Sequence, residues 1–495
     1  MKTYRTICTL FFGVMIFLFF GLAYPHHLHY QEQFQLFLFD STYAWDVVKL
    51  PGGVADLLGR FCTQFFLYAW VGAFIIALLL TAVQIITSRM ADFGKLYGLS
   101  FVPSFLLWIF LLDENALLGG VWALLITLLA CWLFGKISNK WLKHILYIAA
   151  IPILYWIAGP VCMLFFLLPI AKKKQPIWHY SRFIIIVLML ILSSHYLPVH
   201  QGSLWLGIHY HRNPAENVPL LWAAMLSILI LILSARALSK WTKEAKSTAM
   251  PLVSFAVVAL VMGCFVWQKC NFKAEKVMQY DFMVCHQQWN RIIEAINKEK
   301  PNNQIGVTVQ NLALAMKGQL LQRMFDYNQN GLLGLVPTVE SDATSPMPTA
   351  EAFYRLGMIN VAQRTVFEAQ EAILDFQKSA RCYKRLAQTN LINGDYEVAR
   401  KYLTALQKTL FYKEWADETM QLLGNEKAIA KHPEYGHLRK MAYKKDFYFS
   451  DQTTPQMLQD LYTSNTENQL AYQYMMAAFI LTGDRESYYH FAPKN

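Results

Sequence analysis

This chain is short of charge. Asp, Glu, Lys and Arg together make up 16% of its 495 residues, where about 25% is usual for soluble domains. Acidic side chains are scarcest early on: residues 1–270 hold 9 Asp and Glu against 19 Lys and Arg, and the remainder holds 24 against 25. Almost all of the net charge of +11 therefore lies in the first part. No basic patch interleaved with stacking aromatics accompanies it, so nucleic acid is excluded as a partner. The eight cysteines include no Cys-x-x-Cys, and the 13 histidines include no His-x-x-x-His or His-Glu-x-x-His. Neither a zinc or redox motif nor a helical metalloprotease motif is therefore read. Cys270 and Cys285 remain as a pair that an oxidising compartment would allow to bridge. Strand-like alternation is scarce, which sets the expectation of an all-α protein.

Long apolar runs are plentiful. Stretches of about 18 or more such residues are candidate membrane spans; here they are 7–24, 62–87, 97–112, 115–134, 181–197, 217–235 and 250–268. The run 144–171 is long for one helix and has Gly159-Pro160 in its middle. Cytoplasmic loops collect Lys and Arg, and this bias decides how that run is read. Folded as a hairpin at Gly159, it gives about nine spans, with 15 basic residues on the inner side and four (Lys49, Arg60, Arg212 and Lys269) outside. Crossed once, it would put Lys172-Lys173-Lys174 and the Arg236–Lys246 cluster outside. The expected organisation is a polytopic helical membrane domain, 1–270, in the cytoplasmic membrane, its N-terminus inside. A helical domain, 271–495, follows on the periplasmic or extracytoplasmic side. The first run is longer than a signal-peptide core and is read as an uncleaved anchor.

From about Lys273 the apolar residues become periodic. Helices are expected at Gln287–Lys298, Gln304–Lys317, Ala350–Ala369, Ser379–Ile392, Tyr396–Leu410, Lys413–Leu423, Gln469–Leu481 and Glu486–Phe491. Gly318, Gly357 and Gly394 stand 39 and 37 residues apart. Each follows an apolar helix end and precedes another helix. That period suits stacked helical hairpins of tetratricopeptide (TPR) type, an α-solenoid in which each hairpin buries its apolar face on the next. The segment Asp326-Tyr-Asn328-Gln-Asn330-Gly331 opens like a calcium loop, but its twelfth position is Pro337 rather than Glu. It is read as a capped turn.

In this orientation the loop 25–61 faces outward. It opens with PHHLHYQEQFQLFLFD, which holds three histidines, Glu32 and three glutamines. Further on, Val54, Leu57, Leu58 and Phe61 recur at helical spacing with Asp56 and Arg60 opposite them, which predicts an interfacial helix with its polar side to water. The next outer turn carries Asp113 and Glu114, and the fourth outer loop carries His195, His200, His209, His211 and Arg212. Carboxylates and imidazoles at a bilayer surface would hold a divalent metal or a lipid phosphate, and Glu32 or Asp40 would serve as a base. The competing reading is interfacial and structural: His, Tyr and Trp suit a site with one apolar and one wet side.

The residues Glu32-Gln33-Phe34-Gln35-Leu36-Phe37, Pro51-Gly52-Gly53, Gln64-Phe65-Phe66, Trp70 and Gly72-Ala73 resemble an uncharacterised family of bacterial multi-pass membrane proteins with a TPR-like tail. In that tail 311–318 (NLALAMKG) and 324–331 (MFDYNQNG) are similar to its opening. The resemblance spans most of the chain; it implies the architecture and no activity. The layout is also similar to that of the GT-C glycosyltransferases, which have a span, a long acidic first outer loop, more spans and an external domain. That likeness implies a polyprenyl-phosphate sugar donor, with Glu32 or Asp40 as base, His209, His211 and Arg212 near the ligand, and Asp113 and Glu114 as metal ligands. The loop itself has no Asp-x-Asp. Two functions are thus expected to compete: a membrane anchor displaying a protein-binding domain in the cell envelope, and a lipid-carrier glycosyltransferase.

Overall fold

The structure is a computed structural model that describes residues 2–91, 93–172, 182–199, 201–207, 210–212, 219–243, 249–337, 346–373, 377–444 and 453–493. It is all helical; among the described residues there is no strand, only an isolated bridge between Ala116 and His211. The chain divides into two compact units, Met1–Phe272 and Lys273–Asn495. All eight cysteines are free.

In the first unit the helices are α1 (Lys2–Leu18), α2 (Pro25–Gln33), α3 (Ser41–Val48), α4 (Gly53–Thr63), α5 (Ala69–Met90) and α6 (Val102–Phe110). There follow α7 (Leu118–Gly135), α8 (Lys140–Ala158), α9 (Met163–Lys172), α10 (Arg182–Tyr196), α11 (Gln201–Leu206), α12 (Pro219–Lys243) and α13 (Met250–Lys269). Five helical stretches are long and apolar enough to cross a membrane: Thr3–Ala23, Ala69–Met90, Leu118–Gly135, Trp141–Pro169 and Met250–Lys269. Shorter apolar helices occupy Tyr97–Phe110, Phe183–Tyr196 and Pro219–Ala235. Large apolar side chains also face outward here: Leu10 is 64%, Trp141 79% and Leu260 72% exposed. In water such a surface would be costly; against lipid it costs nothing, so these helices indicate a membrane environment.

The long run Trp141–Pro169 does not stay straight. Tyr147 stacks on Phe165 with ring centroids 4.3 Å apart, although residues 18 positions apart on one helix would be separated by about 27 Å. The chain therefore folds back at Gly159, whose φ of +63° is a conformation that favours glycine. Tyr210 fastens this turn by donating its hydroxyl to the Ala158 carbonyl at 2.7 Å. On the other side, Gly52 N–H donates to the Trp156 carbonyl at 2.8 Å. A Cβ on Gly52, itself at φ +79°, would lie 3.3 Å from the Gly159 nitrogen.

The amphipathic helix expected after Gly52 forms as α4, but its faces are reversed. Asp56 and Arg60 are buried, 2% and 7% exposed, while Phe61 is 38% exposed. Arg60 donates through Nε to Asp56 Oδ2 at 2.9 Å, and the helix packs on α7 and α8. The expectation of a polar side turned to water assumed aqueous surroundings; with an apolar exterior the charged pair neutralises itself inside, while Leu57 and Leu58 stay half-buried and Phe61 turns out.

The second unit contains α14 (Phe272–Cys285), α15 (Trp289–Glu299), α16 (Gln304–Met316), α17 (Leu320–Arg323), α18 (Pro346–Leu356), α19 (Ile359–Glu371) and α20 (Ala380–Asn393). It continues with α21 (Tyr396–Leu406), α22 (Lys413–Met420), α23 (Glu426–Lys431), α24 (Tyr435–Met441), α25 (Thr454–Ser464), α26 (Gln469–Thr482) and α27 (Arg485–Phe491). The glycine turns lie between α16 and α17, α18 and α19, α20 and α21, and α26 and α27. Gly357 splits the single helix expected at Ala350–Ala369: its φ is +86°, and a Cβ there would meet the Met441 carbonyl oxygen at 2.6 Å. Helices α18, α19, α20 and α21 pack in succession over a core that includes Leu312, Phe353, Tyr354, Leu391 and Tyr474. The calcium-like segment is a brace: Asn328 donates to the Lys300 carbonyl at 2.9 Å, and Asn311 exchanges hydrogen bonds with Gln329.

Candidate functional site

The residues singled out in the first unit come together in part, and most of them fasten backbone. α2 follows α1 after a break at Tyr24, with Pro25 at its first position, where a missing N–H costs nothing. It points His27, Gln31 and Glu32 inward, at 1%, 7% and 5% exposure. His27 Nε2 donates to the Leu111 carbonyl at 3.0 Å. Burial pushes the His27 imidazole down to about 4, against the hydrogen bond to Leu111 and the Asp113 charge, which favour protonation. Gln31 donates to the Ala116 carbonyl at 3.1 Å. The α2 helix is thus stitched to the 111–116 turn.

That turn in turn holds the segment 210–212. Asp113 Oδ2 lies 3.1 Å from His211 Nε2, and its Oδ1 accepts the Asn115 N–H at 2.8 Å. Burial alone would raise the Asp113 carboxyl; the His211 and Asn115 hydrogen bonds outweigh it and hold it below its ordinary value. Arg212 donates to Asn115 Oδ1 through Nε and Nη2, at 3.0 and 2.8 Å, and to the Tyr30 hydroxyl at 3.2 Å. Its guanidinium lies 3.9 Å from the centre of the Phe34 ring. The remaining nitrogen, Nη1, is buried without a hydrogen-bond partner among the described residues. Beside it is a crevice of about 10 Å³ lined by Gln31, Gln35, Thr63, Glu114, Leu117 and Arg212.

Asp40 stands apart from this cluster. It caps α3, accepting from the N–H groups of Thr42 and Tyr43 at 3.0 and 3.1 Å. His200 and His209 lie outside the described residues. Glu114 reaches the crevice, yet among the described residues no three His, Cys, Asp or Glu side chains gather as a metal-binding group. A buried glutamine that the sequence reading passed over is also engaged: Gln84 of α5 bonds Tyr97, Ser100 and Thr9 at 2.9–3.1 Å.

The second unit contains a larger feature. A cleft of about 700 Å³ is lined by residues that include Met316, Arg355, His437, Leu438, Leu470 and Gln473. A smaller pocket of about 150 Å³ is lined by Arg355, Arg381, Lys384, Arg385, Trp415 and Glu351, among others, and shares Gln287, Arg355 and Glu434 with the cleft. Three helices and the start of a fourth, α24, where Glu434 sits, supply its charges. Arg381, Lys384 and Arg385 fall on one face of α20 because i, i+3 and i+4 are neighbours, α18 brings Glu351 and Arg355, and α14 brings Asp281. The pairs are Arg381 with Asp281, Arg385 with Glu351, and Arg355 with Glu434 at 3.3 Å. Arg385 also lies 3.6 Å from the centre of the Tyr354 ring. Burial would raise the Glu351 carboxyl, but Arg385, Arg355 and Arg381 hold it below its ordinary range. No sequence motif announced this pocket; the only available signal was the Arg381, Lys384, Arg385 spacing on an otherwise buried helix.

Helices of membrane-crossing length, followed by a unit of glycine-turned hairpins with a charged pocket, define an all-helical protein of membrane type. The chain belongs to a family of unknown function (DUF6057), whose model matches residues 2–494. No curated protein and no solved structure matches it.

Proposed function

We propose that this protein is a bilayer-embedded anchor that displays its Lys273–Asn495 unit outside the cytoplasmic membrane, as a TPR-like solenoid that binds a protein partner in its cleft. The observation that carries this reading is the cleft of about 700 Å³ between helical hairpins, since stacked helical repeats present concave surfaces on which partners bind. The fold-back at Gly159 supports nine crossings, and with them the arrangement of 15 basic residues inside and four outside. The test places a photo-crosslinking residue at Gln473, in the cleft, or at the exposed Lys401, in full-length protein expressed in cells. A discrete adduct with one protein from Gln473 alone is expected; the same products from both positions, or none from either, would refute cleft binding. An alkaline phosphatase fused after Asn495 is expected to be active.

The glycosyltransferase reading draws on one observation: α2, with Glu32, is stitched to the turn that holds Asp113, His211 and Arg212. It fits less well, because the crevice there is about 10 Å³, far below the 300–1,000 Å³ or so of small-molecule sites. Under it, Glu32→Ala would abolish function at normal expression. Under the anchor reading, Glu32→Ala and Asp40→Ala proteins complement a deletion.

A further inference from the structure

The charges around the small pocket of the second unit do not balance. Among the described residues Arg355, Arg381, Lys384 and Arg385 stand against Asp281, Glu351 and Glu434, four cations against three carboxylates. Each arginine is paired with a carboxylate. Lys384 has none among the described residues; its ammonium lies 4.9 Å from the centre of the Trp415 ring. Burial draws the Lys384 ammonium below its ordinary range, and Arg385 adds to that pull; Cys285 and, more weakly, Glu434 and Glu351 oppose it. The arginines also keep donors in reserve. Among the described residues, Arg385, 9% exposed, has Nη1 buried with no hydrogen-bond partner, and Arg355 has Nε in the same state. Buried donors without acceptors are costly, and a half-buried ammonium without an ion pair adds to that cost. An oxyanion entering the pocket would relieve both at once.

We infer that this pocket is a carboxylate site, and that it receives an acidic side chain or the terminal carboxylate of the segment lying in the adjoining cleft. Among the described residues the excess of one positive charge matches a carboxylate; a phosphate dianion would leave one uncompensated negative charge. Guanidinium forks present paired N–H donors to two oxygens, and Trp415 offers an apolar wall for the methylenes that precede the carboxylate. A volume of about 150 Å³ holds a short side chain rather than a nucleotide or lipid headgroup. The identity of the occupant as a peptide rests on the cleft-binding reading above; the anion preference of the pocket does not.

Cys285 lines the pocket and supplies a readout. Full-length protein in detergent micelles is alkylated with iodoacetamide, and the rate at Cys285 is followed by peptide mass spectrometry. The probes are glutarate, inorganic phosphate and neutral glutaramide. Saturable protection by glutarate, absent with glutaramide, is expected. Lys384→Met should weaken that protection about tenfold, the effect of losing one charged contact, and Lys384→Arg should restore it. Because Lys384 has no ion pair, neither substitution orphans a carboxylate, and an unchanged melting temperature checks folding. No protection by glutarate, or equal protection by glutaramide, overturns the site; stronger protection by phosphate overturns its assignment to carboxylates. Protection by glutarate alongside failed crosslinking from Gln473 would keep the pocket and discard the peptide.

Discussion

Among the described residues, forty large apolar side chains stand exposed in the first unit and six in the second. The contrast extends to the buried polar groups. In the first unit His27 and Gln31 are spent on backbone carbonyls and Gln84 on the hydroxyls of Tyr97, Ser100 and Thr9, and the crevice left over is about 10 Å³. In the second unit the buried charges surround open space of about 150 Å³ beside a larger cleft. A protein surrounded by lipid must satisfy its polar groups internally, so polarity inside such a unit is by default structural. A unit with a polar exterior has no such need, and charges gathered around a void in it call for another explanation.

The largest expected effect tests the second half of that contrast. Glu351→Ala strands the Arg385 guanidinium and should destabilise the unit by about 3–5 kcal/mol, whereas Glu351→Met combined with Arg385→Met should recover most of the loss. Thermal unfolding of the full chain decides; a mild single substitution would mean that the pair is open to water.

His27 tests the first half. Its imidazole is held down at about 4, so the folded state resists a proton that the unfolded chain accepts near 6.5. Its contribution is complete above pH 6.5 and is lost as the pH falls toward 4, by at most about 3 kcal/mol. Asp113, also held low, adds its own loss only below about pH 4. Melting temperatures across pH 4–7 should slope for the wild type and flatten for His27→Gln. Equal slopes would show that His27 is hydrated.

A smaller effect is expected at Gly52. Gly52→Ala forces a side chain into φ +79° against the Gly159 backbone and should cost about 1–3 kcal/mol, read as a lower melting temperature. An unchanged value would mean that the fold-back is not pinned there. The smallest effect is at Asp40: removing this cap should cost about 1 kcal/mol and leave function intact in a complementation assay. Loss of function at normal stability would reinstate Asp40 as a base.

Much of this architecture was legible in the sequence. The apolar runs, the break at Gly159-Pro160 and the glycine turns at 318 and 394 are local signals: the runs form apolar helices, five of them long enough to cross a membrane, and the chain turns at those glycines. The faces of α4 were misread because amphipathicity gives two sides without saying which solvent each meets. The loop histidines were legible as a polar group, but the use of His27 was not, since its partner, Leu111, is 84 positions away. The cationic pocket was hidden for the same reason: its charges come from α14, α18, α20 and, with Glu434, the start of α24, and only the α20 triplet shares a local pattern.

The placement of Lys384 over Trp415 bears on how a ligand would be held. An exposed basic stripe loses its pull as ionic strength rises, because dissolved ions screen it within a Debye length of about 10 Å at 0.1 M. A half-buried ammonium backed by an indole ring is reached poorly by those ions. Binding at this pocket should therefore persist in concentrated sodium chloride that strips anions from the outer surface of the same unit.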